Sequence, residues 1–327
     1  MGDSLTEPLT QHFACPDSVQ VLCINMFLRP PFVHNNLGDL KDARTLHFCE
    51  HILPRYDILC LQEVFGTLNS RKERIIAAGK AAGLIYYAES PAPGFWSSYV
   101  TDGGLLILSR FPIVNTQFRP FGFGTFPDSL AKKGVLYTEI LISGHTVHLF
   151  TTHTQANYVT SDPEEHRLYR SVTRQHIELL AQFMSEKLRV PGMILLAGDL
   201  NVDALEHQKD SAVMNEGMDE YQILRKTLEP LQMREVLKDI YETHPVTYGK
   251  KGADGQPEET VLTHVEDQGN ECALDYIFTV NEGNVSSSQG LQVEAESTRV
   301  EAFYTEGQPF TQISDHHGLH IVLRVDR

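Results

Sequence analysis

The sequence predicts an α/β protein, and three observations carry that reading. Short apolar runs bounded by Gly and Pro read as buried strands, as in Met193-Ile194-Leu195-Leu196-Ala197 between Pro191-Gly192 and Gly198. Longer stretches between such runs read as helices, over Leu40–Leu53, Asn69–Ala82 and Pro163–Leu188. Several strands also end in a polar or ionisable residue, which is where open α/β sheets place their ligands.

In chain order, the run from Val19 to Ile24 ends in Asn25, and Ile58-Leu59-Cys60-Leu61 ends in Gln62-Glu63. The strand 145–150 leads into Thr151-Thr152-His153-Thr154. The third helix has a well-formed start: Asp162 can cap, Pro163 suits the first helical position, and Glu164-Glu165 favour the positive end of the helix dipole. The run 193–197 delivers Gly198-Asp199-Leu200-Asn201, whose acid and amide, spaced by two along a strand, point the same way. The segment 249–259, rich in Lys, Gly, Asp and Pro, reads as a loop. Asp275 stands in the apolar strand 273–278, and Ser314-Asp315-His316-His317-Gly318 precedes the strand 319–325. Buried strand ends seldom carry so many ionisable groups without use.

Composition fits one enzyme-sized unit, with an N-terminal extension over 1–18 and a single domain over 19–327. The chain has 27 basic and 43 acidic residues, a net charge of −16. That balance argues against a duplex nucleic-acid partner, whose phosphates call for a basic footprint. No basic stretch followed by an apolar core opens the chain, and no 18-residue apolar window appears. The five cysteines are scattered without metal-ligand spacing, and Cys23, Cys60 and Cys272 are expected as buried strand thiols. A cytoplasmic or peripherally membrane-associated location is therefore expected. The sequon Asn284-Val285-Ser286 reads as chance in that setting.

The order Asn25, Gln62-Glu63, His153, Gly198-Asp199-Leu200-Asn201, Asp275, Ser314-Asp315-His316 resembles the endonuclease/exonuclease/phosphatase superfamily, the deoxyribonuclease I-like phosphoesterases. The resemblance runs from about Val19 to Val325. It implies a four-layered α/β sandwich, with two central mixed β-sheets flanked by helices and the active site at one end. Within that superfamily the chain is most similar to the neutral sphingomyelinases. The stretches that carry this are Asn25-Met26-Phe27-Leu28-Arg29-Pro30, Asp57 to Phe65, and Gly103-Gly104-Leu105 through Ile113. Asp128 and Lys133 look like that subfamily's Asp-x4-Lys element beside the active site. The Trp-Cys-Asp-Arg signature of the inositol-phosphate phosphatases is replaced here by Glu271-Cys272-Ala273-Leu274-Asp275-Tyr276.

Phosphodiester hydrolysis needs a positioned water, a base, and cation density for the developing charge. Glu63 is a hard oxygen donor suited to Mg²⁺ or Mn²⁺, and the amide oxygen of Asn25 would support that metal or the bound phosphate. Asp315 adds a metal contact or holds the hydrogen-bond network. His316 is the candidate general base, and Asp275 the acid that orients it, a pairing the resemblance also implies. Asp199 and Asn201 would orient the water and a phosphate oxygen. His153 would donate to a phosphate oxygen or assist the leaving alkoxide. Lys133, with Asp128 beside it, would bring positive charge to the phosphate. The expected reaction is Mg²⁺-dependent hydrolysis of sphingomyelin to ceramide and phosphocholine at a membrane surface, with no transmembrane segment. The alternatives are a metal-dependent nuclease or a phosphodiesterase acting on other choline phospholipids. The aromatic stretches Pro91–Tyr99 (Phe95, Trp96, Tyr99) and Phe118–Phe126 (Phe121, Phe123, Phe126) are candidate docking surfaces for a transient encounter with lipid.

Overall fold

The computed structural model describes residues 16–158, 162–188, 190–205, 219–280 and 290–325. Residues 1–15 of the expected extension and the sequon at 284–286 lie outside the described residues. The described chain runs β1 (Ser18–Leu28), α1 (Lys41–His47), β2 (Ile58–Val64), α2 (Arg71–Ala81), β3 (Tyr86–Glu89), β4 (Leu106–Ser109), β5 (Ile113–Pro120), β6 (Gly134–Ile142), β7 (His145–His153), α3 (Pro163–Lys187), β8 (Met193–Asp199), α4 (Glu220–Leu228), β9 (Met233–Glu235), α5 (Val236–Tyr241), β10 (Asp275–Val280), β11 (Leu291–Glu301) and β12 (Gly318–Val325).

The strands form two six-stranded mixed sheets, ordered β11-β12-β1-β2-β4-β3 and β5-β6-β7-β8-β10-β9. The parallel pairs are β1 with β2 and β7 with β8. Alternate residues of the central strands feed two different cores. Val21 and Cys23 of β1 belong to the core between the sheets, with Leu149, Ala197 and Ile277 of the other sheet. Their neighbours Leu22 and Ile24 pack outward with Phe48, Ile52 and Ile75, under α1 and α2. On the far side, Phe150, Ile194 and Leu196 pack with Ile177, Leu180 and Phe183 of α3. Three cores separate four layers. Burial on both faces is why the central strands read as continuous apolar runs rather than alternating ones.

The helix starting at Pro163 forms as expected, and the Asp162 side chain accepts the Glu164 N–H at 2.9 Å. The helix expected over 40–53 is regular only to His47, then loosens through Phe48–Ile52 and tightens at Leu53–Arg55, where Pro54 interrupts it. Asp275 is the first residue of β10 rather than an interior one. Because β10 runs antiparallel to β8, that start lies beside the end of β8. Cys23 and Cys60 are buried as expected, but Cys272 is only partly buried and lies outside the named strands.

Gly198 has no room for a side chain: a Cβ would meet the Thr152 carbonyl oxygen at 2.3 Å and the Thr152 nitrogen at 3.0 Å. Both are backbone atoms of the neighbouring strand and cannot give way. Gly198→Ala is expected to destabilise the fold by about 1–3 kcal/mol. A denaturant midpoint unchanged from the parent would contradict that close approach.

Candidate active site

The site is assembled where the central strands of both sheets end. His153, Asp199 and Asp275 lie in one row across three adjacent strands, His153 paired with Asp199 and Asp199 with Asp275. From the other sheet come Asn25 on β1, Glu63 on β2, and the turn that precedes β12.

Three strand ends turn sharply here. Phe27, Glu63 and Asn201 all adopt positive φ, at 50°, 54° and 47°. Asn tolerates this conformation, but Glu does not adopt it without strain, and strained residues cluster where geometry serves function. Gly104 lies against Glu63, where a Cβ would fall 3.2 Å from the Glu63 Cα. The Asp199 carboxylate accepts the Asn201 N–H at 2.9 Å, closing a short turn. Asn201 thus meets Asp199 through that turn, and not through strand periodicity. Its side chain donates to the Thr154 carbonyl at 3.3 Å.

The Asn25 amide nitrogen donates to Glu63 Oε1 at 3.0 Å and to Asp199 Oδ2 at 2.9 Å. Its oxygen accepts the Phe27 N–H at 3.0 Å. One lone pair of this oxygen is spent on backbone, and the amide nitrogen orients the two acids.

His316 Nδ1–H donates to Asp275 Oδ2 at 2.8 Å, and Nε2 faces Asp199 Oδ2 at 3.8 Å. Burial alone would lower the proton affinity of His316. The Asp275 and Asp199 carboxylates outweigh burial and hold its pKa well above the usual imidazole range. Burial, then the Asp275 charge, pushes Asp199 up to about 7. Burial likewise pushes Asp315 up to about 6, with Glu63 adding to it. His153 moves the other way: burial and then the Lys133 charge hold it well below the ordinary value, as a neutral imidazole. Its Nε2 lies 3.6 Å from Asp199 Oδ2 and 3.9 Å from Glu63 Oε1.

These acids have too little positive charge among them, which is the chemistry of a cation site. Glu63 Oε2 is buried with no hydrogen-bond partner among the described residues, a lone pair left open. Asp199, Asp275 and His316 also bring one ligand atom each within 4.8 Å of one another. That trio is the poorer cation site. Asp275 Oδ2 already holds His316, and both Asp199 oxygens accept hydrogen bonds. Glu63 and Asp315 line the open cleft, whereas Asp275 does not. The residues fit a divalent cation at Glu63, with Asp315 near it.

Lys133 departs from expectation. It is buried, and Nζ donates to Asp128 Oδ2 and to the Thr154 carbonyl, both at 2.7 Å, and lies 3.4 Å from His153 Nε2. It braces the His153 strand end. Asp128 also accepts the Tyr158 hydroxyl at 3.0 Å.

Thr247 was not singled out by sequence. Its hydroxyl oxygen accepts the N–H groups of Leu274 (3.0 Å) and Asp275 (3.2 Å), and its carbonyl accepts the His317 N–H at 2.7 Å. One buried residue therefore fixes both the acid and the residue that follows the histidine of the pair. The Tyr248 ring lies against His316, with centroids 5.1 Å apart. The Thr247-Tyr248 dipeptide sits in a polar loop with no periodic signal, and only the fold brings it here.

A cleft of about 880 Å³ opens over this row, lined by Phe27, Arg29, Glu63, His153, Asn201 and His316 among others. An Asp–His pair, a cation site and a cleft at one end of a two-sheet sandwich define a metal-assisted phosphoester hydrolase. The chain belongs to the Endonuclease/Exonuclease/phosphatase family, whose model matches residues 24–316. It is 30% identical to a sphingomyelinase of Dictyostelium discoideum, over 92% of this chain and 78% of that protein. With sphingomyelinase C of Bacillus cereus the identity is 26%, over 65% of this chain and 63% of that one. A mutant Staphylococcus aureus beta toxin with bound magnesium ions shares the fold at a TM-score of 0.63 and 22% identity, covering 94% of this chain and 100% of that one. The chain is a phosphodiesterase hydrolase of the sphingomyelinase type.

Thr247→Val keeps the shape but strips both amides of their acceptor. It is expected to lower kcat about 10- to 100-fold with KM nearly unchanged, because it misaligns the pair without touching the substrate. Thr247→Ser is expected to retain most turnover. Steady-state kinetics showing Thr247→Val at parental kcat would remove Thr247 from the machinery.

Proposed function

We propose that the chain is a Mg²⁺-dependent sphingomyelinase that releases phosphocholine and ceramide at a bilayer surface. The observation that carries this is the cleft itself, which joins the catalytic row to an apolar rim. Leu68, Val100 and Leu130 line the cleft and are exposed. They are held together by the Val100 N–H to Leu130 carbonyl bond at 2.8 Å and by the Thr67–Thr101 hydroxyl pair at 2.9 Å. Close by in the chain, Phe95, Trp96 and Phe126 are 90%, 93% and 74% exposed. Tyr99 is half-buried, and Phe121 is buried, stacked on His176. Exposed aromatics beside a catalytic cleft suit the water–lipid boundary. Among the described residues no helix is long and apolar enough to cross a membrane, so the encounter would be peripheral and transient. A net charge of −16 favours a zwitterionic surface over an anionic one and weighs against a nucleic-acid substrate.

In this reading, His316 Nε2 accepts the proton of a water oriented by Asp199, and Asp275 holds the imidazole and stabilises its charged form. Glu63, with Asp315 near, would hold a divalent cation, which would supply counter-charge to a phosphate oxygen. Asp315 is one of the carboxylates that raise His316, so charge compensation there would ease part of that pull. His153 and Asn201 line the cleft as donors to phosphate oxygens. The named substrates of the relatives support sphingomyelin over a polynucleotide.

The test is hydrolysis of sphingomyelin vesicles by purified protein with Mg²⁺ or with EDTA, beside plasmid nicking. Phosphocholine release only with Mg²⁺, on an untouched plasmid, is expected. Plasmid cleavage with intact lipid would move the function to the nucleases. His316→Ala is expected to lower turnover by at least about 100-fold with the fold retained, the low end for loss of a general base.

Proton competition adds a second prediction. Burial pushes Asp315 up to about 6 in the folded metal-free chain, against about 4 unfolded. Below that range the folded Asp315 carboxyl holds its proton, and a cation beside it must displace it. The gain in Tm from Mg²⁺ over EDTA is therefore expected to be small at about pH 5 and to grow through about pH 7. A gain independent of pH across that range would contradict metal binding beside Asp315.

A further inference from the structure

Lys133 has spent its donors within the protein, so the cleft needs another cation for an anionic substrate. Arg29 is in the cleft wall. Its guanidinium lies over the Phe27 ring, 4.0 Å from the centroid, and Nη2 donates to Asp39 Oδ2 at 2.9 Å. Asp39 is fully buried and is itself fixed by the N–H groups of Asn35 (2.7 Å) and Asn36 (3.3 Å). Stack and ion pair together hold the guanidinium in one orientation, which lowers the entropy lost on binding a ligand.

The charge count matters more. Asp39 also pairs with Lys41, whose Nζ lies 3.5 Å from Oδ2. Lys41 is pushed down to about 8 by burial and remains charged at neutral pH. Two cations share one carboxylate, so the group keeps one positive charge in excess, and Arg29 carries it to the cleft. Arg29 Nε is buried with no partner among the described residues. The Arg29 charge reaches both Asp315 and Tyr158, residues that line the same cleft.

We propose that Arg29 binds the phosphate of the substrate, its guanidinium donating to a non-bridging oxygen of the anionic diester. This rests on the phosphodiesterase reading but not on sphingomyelin as the substrate. A guanidinium suits the task because its planar donors match a phosphate edge, and charge-assisted bonds of this kind are the strong ones. A purely structural Arg29 would tie its loop to Asp39 and do nothing for ligand affinity.

The test uses the full chain with Mg²⁺, comparing the parent, Arg29→Met and Arg29→Lys. Inorganic phosphate is titrated calorimetrically, and KM and kcat are measured on bis(4-nitrophenyl) phosphate and on sphingomyelin vesicles. Arg29→Met is expected to weaken phosphate binding and raise KM about tenfold, with a smaller change in kcat, and Arg29→Lys to recover part of the loss. Loss of phosphate affinity in Arg29→Met, in a parent that cleaves the soluble diester but not sphingomyelin, would support Arg29 while removing the lipid reading. Phosphate affinity and KM within about twofold of the parent in Arg29→Met would overturn the proposal. Should that variant fail to fold, a parental phosphate affinity in Arg29→Lys, which keeps the charge and loses the planar donors, would overturn it too.

Discussion

One amide group joins the two halves of this molecule at the point where chemistry occurs. The Asn25 nitrogen donates at once to Glu63 of its own sheet and to Asp199 of the other. Each of its two protons satisfies an acid, and its oxygen is fixed by the next turn of its own strand. The distance between cation site and base site therefore depends on one short, rigid side chain packed between two sheets. That junction tolerates little movement, since interiors are close-packed. Gly198, pressed on the Thr152 backbone, sets the height of Asp199 in the same way.

Electrostatic crowding follows from this geometry. Asp199, Asp275 and Asp315 are buried together, with Glu63 at their edge. His316 answers for Asp275, Lys133 is committed to Asp128, and His153 is held neutral. The remaining negative charge is relieved either by protons on Asp199 and Asp315, whose affinities burial raises, or by a counter-ion. The same crowding tunes His316. Its carboxylate neighbours, Asp275 and Asp199 first, raise its proton affinity above what burial alone would leave.

Much of this was legible in sequence because strand ends announce themselves. Apolar runs that stop at Asn25, Glu63, His153 and Asp199 are local signals, and the Asp162-Pro163 start of α3 is a local rule obeyed. That Asp275 needs a partner followed from the cost of an acid at an apolar strand, and that the partner is His316 was what the family resemblance implied. What sequence could not give was who spends which hydrogen bond. Lys133, expected to bring charge to the phosphate, is instead engaged with Asp128 and the Thr154 carbonyl, while Arg29, named only within a family stretch, stands in the cleft wall. Thr247 carries no motif, and its role arises because Leu274 and Asp275, 27 and 28 residues further on, meet it only in the fold. Helices α4 and α5 are short, and tertiary packing under β9 and β10 decides them more than pattern does.

The central claim is a division of labour: Glu63 holds the cation, and the Asp275–His316 pair handles the proton. Anomalous diffraction from crystals soaked in Mn²⁺ tests it most directly, because the metal announces its own position. The account predicts a peak bonded to Glu63, about 2.2 Å from a carboxylate oxygen, with the His316–Asp275 hydrogen bond intact. A peak ligated by Asp199, Asp275 and His316 instead would contradict it, making the histidine a ligand and leaving the reaction without the base assigned here.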